Sequence, residues 1–274
     1  MADIAVFRGP GNRLTDVTGL RVGQADDPVI DTGVTVIVPE APVAMAADIR
    51  GGGPGTRETD ALQPDCLVER VHALVFSGGS VFGLAAADAV VDWLSAEGIG
   101  LPVADRPVPV VPAAILFDLK SGGDKQWVRS PYPDLARRAM GALGTPVVEG
   151  RVGAGRGARA GDRAGGVGSA SLSTADGLCV SALVVVNSFG NPLSDRAPDL
   201  GTIPFPKLGM LGGNTTLAAV ATNLDLSKAQ CRRLAIMAQD GLARALRPVH
   251  TPFDGDSVFA MATGAMPVDR TRAA

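Results

Sequence analysis

Hydrophobic and polar positions along the chain follow two periods, which together predict alternating strands and helices. Runs rich in Val, Ile and Ala predict buried strands, and they cover 33–38, 43–49, 73–76, 169–172, 178–186, 215–222 and 257–263. Apolar residues at helical spacing predict helices over about 81–96, 133–143 and 227–246. Ser80 is a candidate N-cap for the first helix and Gly98 a stop signal.

The connections between these elements decide the kind of sheet. Residues 39–42 join the first two strands and are short enough for an antiparallel hairpin. Parallel neighbours need long crossovers, so short connections exclude a purely parallel, doubly wound sheet. The pattern predicts one layered α/β domain over residues 1–274, with a mixed or antiparallel sheet.

Composition and charge narrow the class of protein. Hydrophobic residues make up 46% of the chain, which is ample for a core. The formal charge is -3 and the basic residues are scattered, so nucleic acid is not an expected partner. The first residues lack a signal-peptide pattern. A membrane-spanning helix needs about 20 apolar residues, and the apolar runs of this chain are shorter. We therefore expect a cytoplasmic protein without a membrane partner.

Several common chemistries do not fit the residues. The chain has only two histidines, His72 and His250, and neither has a second ligand at metal-binding spacing, so no metal is expected. His72 lies among apolar residues, which favours a core histidine. Residues 51–55 form a glycine run without the Gly-Lys-Ser/Thr of a phosphate loop, and no Gly-x-Ser-x-Gly elbow is present. No cofactor is predicted.

Two short segments remain, 211–217 and 250–257. Both have ordinary interpretations as turns, because Gly-Gly-Asn-Thr suits a turn entering a strand and Asp-Gly is a common turn dipeptide. Their chemistry suggests more. A hydroxyl directly after a strained turn can attack the carbonyl of the preceding residue and break the peptide bond between them. The α-amine that this releases is a base with a pKa of about 8. Thr215 would then supply both nucleophile and base without a histidine.

Six stretches, in order and over nearly the whole chain, resemble one family. They are LTDVTGLRVG (14–23), DIRGGGPGTRET (48–59), SGGSVFGL (77–84), PAAILFD (112–118), GGNTTL (212–217, running on to Thr222-Asn223) and RPVHTPFDGD (247–256). The chain is similar to the L-aminopeptidase/D-esterase family, which includes β-peptidyl aminopeptidases and nylon-oligomer hydrolases. This resemblance implies a self-processing hydrolase of the N-terminal-nucleophile type with an αββα sandwich.

The resemblance also implies where the chain is processed and how it assembles. The matching cleavage point is the Asn214–Thr215 bond, which gives chains 1–214 and 215–274. The two chains are expected to stay together. A homotetramer or larger homo-oligomer is the expected assembly.

Site residues follow from the same resemblance. Thr215 matches the nucleophile, and Asn187 matches an amide that helps to hold the nucleophile or the oxyanion. Asp254 and Asp256 match a pair of acidic or hydroxyl residues that position the amine and hydroxyl of the nucleophile.

The chain departs from the family's pattern at two places. Family members commonly carry a lysine just after the glycine-dense stretch, where this chain reads Gly161-Asp-Arg-Ala-Gly165. Arg163 is the candidate substitute, although a guanidinium is bulkier than an ammonium group and always charged. Phe117 stands where some relatives have Tyr, which removes one hydroxyl from the implied oxyanion site.

The predicted function is hydrolysis of small peptides, amino-acid amides or ω-amino-acid oligomers. Two alternatives stay open. One is a pantetheine-type or other amide hydrolase of the same fold, and the other is an uncleaved, non-catalytic binding protein.

Overall fold

The computed structural model describes residues 4–144, 146–193 and 213–268. Its α-helices are α1 (Ala86–Ala96), α2 (Tyr132–Gly141) and α3 (Lys228–Ala245). In chain order, its strands are β1 (Val6–Arg8), β2 (Leu20–Asp27), β3 (Thr32–Pro39), β4 (Ala44–Ile49), β5 (Thr56–Arg57), β6 (Leu74–Ser77), β7 (Ala113–Ile115), β8 (Arg159–Ala160), β9 (Arg163–Ala164), β10 (Gly166–Thr174), β11 (Cys179–Asn187), β12 (Asn191–Pro192), β13 (Thr215–Leu224), β14 (Leu246–Arg247) and β15 (Ser257–Met266).

Two mixed sheets dominate the fold. The six-stranded sheet has the order β1-β10-β11-β13-β15-β4, and only its β13–β15 pair is parallel. The five-stranded sheet has the order β2-β3-β6-β7-β5, with β6 and β7 parallel. The prediction of a mixed sheet is confirmed for both.

The two sheets and three helices form layers, and the apolar clusters show which faces pack together. The largest apolar cluster lies between the sheets, where the rings of Phe76 and Phe259 are 5.8 Å apart between centroids. Helices α1 and α2 pack on the outer face of the five-stranded sheet. Helix α3 covers part of the outer face of the six-stranded sheet. The architecture is therefore the predicted αββα sandwich. Among the described residues, no helix has both the length and the apolar content to cross a membrane.

The predicted hairpin between β3 and β4 is wrong. β3 pairs with β2 and β6 in one sheet, whereas β4 pairs with β15 in the other. Nearly every residue of both strands is buried, so each is covered on two faces. The connection 39–42 therefore carries the chain from one layer to the next.

Helix starts were predicted with mixed success. Helix α3 begins after Ser227, whose hydroxyl accepts from Gln230 N in a capping box. Ser80 does not cap α1, because residues Ser80–Ala85 form a 3₁₀ helix that precedes it. Most of the loop-like segment 191–213 lies outside the described residues.

Candidate active site

Three strand ends bring the candidate residues together. β13 and β15 are parallel, so both begin at the same edge of the six-stranded sheet, and antiparallel β11 ends there. Asn187, the last residue of β11, lies opposite Thr215, the first residue of β13. A bridge between Asn214 and Asp254 adds the loop that precedes β15. Residues far apart in sequence thus meet at one point.

Thr215 is almost completely buried, and its hydroxyl faces the carbonyl of the preceding residue. Its Oγ1 donates to Asn214 O at 2.5 Å. Gly255 N donates to the same carbonyl oxygen at 2.9 Å. The Thr215 hydroxyl therefore lies beside the carbonyl group of the peptide bond that precedes it, the proximity on which an N-to-O acyl shift depends.

Asp254 is buried with its carboxylate fully engaged. It accepts from Phe189 N at 3.1 Å, from Thr251 N at 2.9 Å and from Thr251 Oγ1 at 2.6 Å. Burial raises the pKa of Asp254, and the nearby charge of Asp256 raises it further, while the hydrogen bonds oppose the shift. Asp254 holds the loop 251–256 against the end of β11.

Asp256 connects that loop to the start of β13. Its Oδ1 accepts from Thr216 N at 2.7 Å, and its Oδ2 accepts from His250 N at 3.0 Å. His250 Nδ1 lies within hydrogen-bond distance of the same oxygen, at 2.9 Å. Asp256 thereby fixes the residue that follows the candidate nucleophile.

Asn187 is buried, and both the oxygen and the nitrogen of its side-chain amide form hydrogen bonds with backbone groups. Its Oδ1 accepts from Arg159 N at 2.9 Å, and its Nδ2 donates to Phe117 O at 3.3 Å. Asn187 therefore joins the end of β11 to the segments carrying Phe117 and Arg159.

Arg163 is the candidate that the structure does not bring to this group. It lies in the small β8–β9 hairpin, and its side chain is 67% exposed. Its guanidinium faces Asp162 at 3.9 Å, a contact that solvent screens. Arg163 is thus not a member of the group of residues around Thr215 in this arrangement.

Sequence reasoning missed the backbone partners of the site. Gly53 N donates to Asp254 O at 2.9 Å, and Gly52 N lies 3.3 Å from Thr251 O, which accepts its hydrogen. A Cβ on Gly51 would lie 2.5 Å from Asp254 O, and one on Gly52 would lie 2.3 Å from Pro252 O. The glycine run 51–53 is therefore a backbone platform for the loop 251–256. Its signals in the sequence were the glycine density and the match of 48–59 to the family pattern, and neither indicated these contacts.

The two histidines have different surroundings. His72 is buried in the core, where its Nδ1 accepts from Val110 N at 3.0 Å and burial lowers its pKa. His250 belongs to the site through Asp256. The sequence indicated its segment but not this contact.

The chain resembles known proteins along almost all of its length. The model of the family described as Peptidase family S58 matches residues 12–273. An uncharacterised aminopeptidase of Mycobacterium tuberculosis is 44% identical over 289 residues, which covers 94% of this chain and 83% of that protein. A 6-aminohexanoate-oligomer endohydrolase of Paenarthrobacter ureafaciens is 29% identical and covers 95% of this chain and 78% of its own length.

Solved structures agree on the fold. A Burkholderia β-aminopeptidase superposes with a TM-score of 0.75 at 26% identity, over 95% of this chain and 75% of that one. The L-aminopeptidase D-Ala-esterase/amidase of Ochrobactrum anthropi, described as a variant of the Ntn hydrolase fold, gives a TM-score of 0.68 at 22% identity. That match covers 99% of this chain and 79% of the Ochrobactrum protein.

Proposed function

The chain belongs to peptidase family S58 and is a hydrolase of peptide or amide bonds, and from this premise we propose that it is a self-processing aminopeptidase with Thr215 as its N-terminal nucleophile. One observation carries the proposal: the Thr215 hydroxyl lies 2.5 Å from the carbonyl oxygen of its own preceding peptide. The nucleophile needs no histidine as its base, because its own amine becomes available after cleavage.

Maturation proceeds in two steps. Thr215 Oγ1 attacks the carbonyl carbon of Asn214, the C–N bond breaks, and the hydroxyl proton ends on the Thr215 nitrogen. Water then hydrolyses the resulting ester, which restores the hydroxyl and leaves a carboxylate on Asn214. The products are chains 1–214 and 215–274.

Substrate hydrolysis repeats this chemistry on another amide. The Thr215 hydroxyl attacks the substrate carbonyl, and the freed α-amine takes the proton and returns it to the leaving amine. Water resolves the acyl-enzyme. Asp256 positions Thr216 beside the nucleophile, Asp254 holds the loop, and Asn187 fixes the neighbouring strand end.

The proposed substrates are small peptides, amino-acid amides and ω-amino-acid oligomers. The Mycobacterium relative is named an aminopeptidase, and the Paenarthrobacter relative acts on 6-aminohexanoate oligomers. These names support acyl donors that carry an amino group, at the α or at a more distant carbon.

A panel of chromogenic amides tests this function. We expect the wild-type protein to hydrolyse at least one p-nitroanilide of an α-, β- or ω-amino acid. Thr215→Ser is expected to retain hydrolysis, because it keeps the hydroxyl, and Thr215→Ala to lose it. Hydrolysis by Thr215→Ala at the wild-type rate would exclude Thr215 as the nucleophile. If the wild type hydrolysed pantetheine-type amides and none of these p-nitroanilides, the result would instead favour a pantetheine-type hydrolase.

A further inference from the structure

The peptide group between Asp254 and Gly255 lies against the bond that is to be cleaved. Gly255 N donates to Asn214 O at 2.9 Å. In the described part of the chain, that oxygen also accepts from Thr215 Oγ1 at 2.5 Å. When the hydroxyl attacks and gives up its proton, the Gly255 N–H is the donor that remains.

We propose that the backbone N–H of Gly255 is the oxyanion donor for cleavage of the Asn214–Thr215 bond, a role that rests on the proposed self-processing. Attack by Oγ1 turns the carbonyl carbon tetrahedral and places a negative charge on Asn214 O. Charge-assisted hydrogen bonds are stronger than neutral ones, so the N–H stabilises this intermediate more than the starting amide. When the C–N bond breaks, the carbonyl reforms as the ester of Thr215 and the proton passes to its nitrogen.

The donor is held in place before the reaction. The carbonyl of the same peptide group, Asp254 O, accepts from Gly53 N at 2.9 Å. The next carbonyl, Gly255 O, accepts from Ser257 Oγ at 2.9 Å. Asp254 is anchored further by Phe189 N and Thr251. A donor fixed on both sides needs no reorganisation when charge develops.

Asn187, the amide that the family resemblance offers for this task, is engaged elsewhere. Its Nδ2 donates to Phe117 O at 3.3 Å, and its Oδ1 accepts from Arg159 N. The phenolic hydroxyl of some relatives is replaced by Phe117. The backbone donor at Gly255 thus supplies what these two side chains do not supply in this arrangement.

The absence of a side chain at residue 255 is part of the same geometry. A Cβ there would lie 2.6 Å from Thr215 Oγ1 and 2.8 Å from Gly53 O. Both distances are shorter than carbon–oxygen packing allows, and Gly53 O belongs to the backbone. Any other residue would push the hydroxyl away from the carbonyl it is to attack.

A single-atom replacement tests the donor. The natural Cys231 allows a thioester of residues 1–230 to be ligated in denaturant to synthetic 231–274. In one synthetic segment, Gly255→glycolate replaces the N–H by an ester oxygen without adding a side chain. The matched control is Gly241→glycolate, which removes one hydrogen bond from the middle of α3, where a Cβ would meet nothing within 4 Å. Refolding starts the reaction, and intact mass follows cleavage over time.

We expect the Gly255 ester to cleave about 100-fold or more slowly than the all-amide chain, the usual effect of losing one oxyanion donor. The Gly241 ester should cleave at the all-amide rate. Equal rates for the Gly255 ester and the all-amide chain would overturn the inference while leaving self-processing intact. If the all-amide and recombinant chains both stay whole, self-processing itself fails and the inference falls with it.

Recombinant variants provide a second measurement should the ester chain fail to refold. Gly255→Ala is expected to remain uncleaved with wild-type circular dichroism. Gly168→Ala, a strand position where a Cβ meets nothing within 4 Å, is expected to cleave normally. Cleavage of Gly255→Ala at the wild-type rate would contradict the close approach of residue 255 to the reacting groups.

Discussion

At the scale of a single residue, burial and hydrogen bonding act in opposite directions on the pKa of Asp254. Its carboxylate accepts from two backbone N–H groups and a hydroxyl, yet burial raises its pKa. The folded protein therefore binds a proton at Asp254 at pH values where the unfolded chain has released it. Ionising Asp254 costs folding free energy, and that cost is incurred as the pH rises.

We predict the direction of this effect from linkage. Between the ordinary aspartate pKa of about 3.9 and the raised value, the folded state holds more protons, so stability contributed by Asp254 falls with rising pH. Asp254→Asn removes this dependence. Urea denaturation across this range, with both proteins carrying Thr215→Ala so that each stays one chain, should show the free energy of unfolding of the parent, relative to the Asp254→Asn variant, decreasing as the pH rises. A constant or increasing difference would contradict the raised pKa.

Asp256 leads to a second prediction at this scale. Its two oxygens accept from Thr216 N and from His250, so both face donors. Asp256→Asn places an NH₂ group against one of them and leaves a buried donor unsatisfied, at a cost of about 1–3 kcal/mol. We expect a lower melting temperature and slower self-cleavage. The exposed Asp134→Asn loses a surface ion pair with Arg137 and one negative charge in the first turn of α2, so it should lower the melting temperature less and leave cleavage unchanged. Unchanged stability and cleavage in Asp256→Asn would contradict the role given to this carboxylate.

Helix α3 is anchored at the end of the molecule opposite the site. It starts just after the far end of β13, where Ser227 and Gln230 form the capping box. Because the candidate site lies at the start of β13, the cap and Thr215 are separated by the length of that strand. Stability and chemistry can therefore be changed independently.

Ser227→Ala tests this separation. Loss of the N-cap should lower the free energy of unfolding by about 1 kcal/mol. The rate of self-cleavage should stay at the wild-type value. Chemical denaturation and a cleavage time course measure the two quantities, and a strong loss of cleavage would show that the cap and the site are coupled.

Local pattern predicted the elements better than their partners. The strands near 215–222 and 257–263 and the three helices were found, because period and length are properties of a segment. Strand pairing is not a property of one segment, and the predicted β3–β4 hairpin is wrong because the two strands belong to different layers. β2 was missed because it carries Arg21, Gln24 and two aspartates.

The same limit applies to the site. Thr215, Asn187, Asp254 and Asp256 were found from segment chemistry and family resemblance, and the structure brings them together. Gly255 N and Gly53 N act through backbone contacts between segments distant in sequence. His250 Nδ1 acts through a side-chain contact with Asp256 that the fold of their own loop creates. Such contacts depend on how strand ends and loops pack, which no local pattern specifies.

At the scale of the whole molecule, cleavage would not divide the fold. The small chain 215–274 would contribute β13 and β15 to the six-stranded sheet, where β13 lies between β11 and β15, and α3 to the outer face of that sheet. The ladders β11–β13 and β15–β4 each join a strand of the large chain to a strand of the small one, and neither includes the cleaved bond. We predict that both chains elute together in gel filtration without denaturant and separate only in denaturant. Separation under native conditions would contradict the sheet order.

Intact mass of the purified, denatured protein tests the central claim most directly. We predict two masses that sum to 27.8 kDa plus one water, with the smaller chain beginning Thr-Thr-Leu-Ala on N-terminal sequencing. Thr215→Ala, purified in the same way, should give one mass. A single mass of 27.8 kDa for the wild type, with hydrolytic activity retained, would contradict an N-terminal threonine nucleophile.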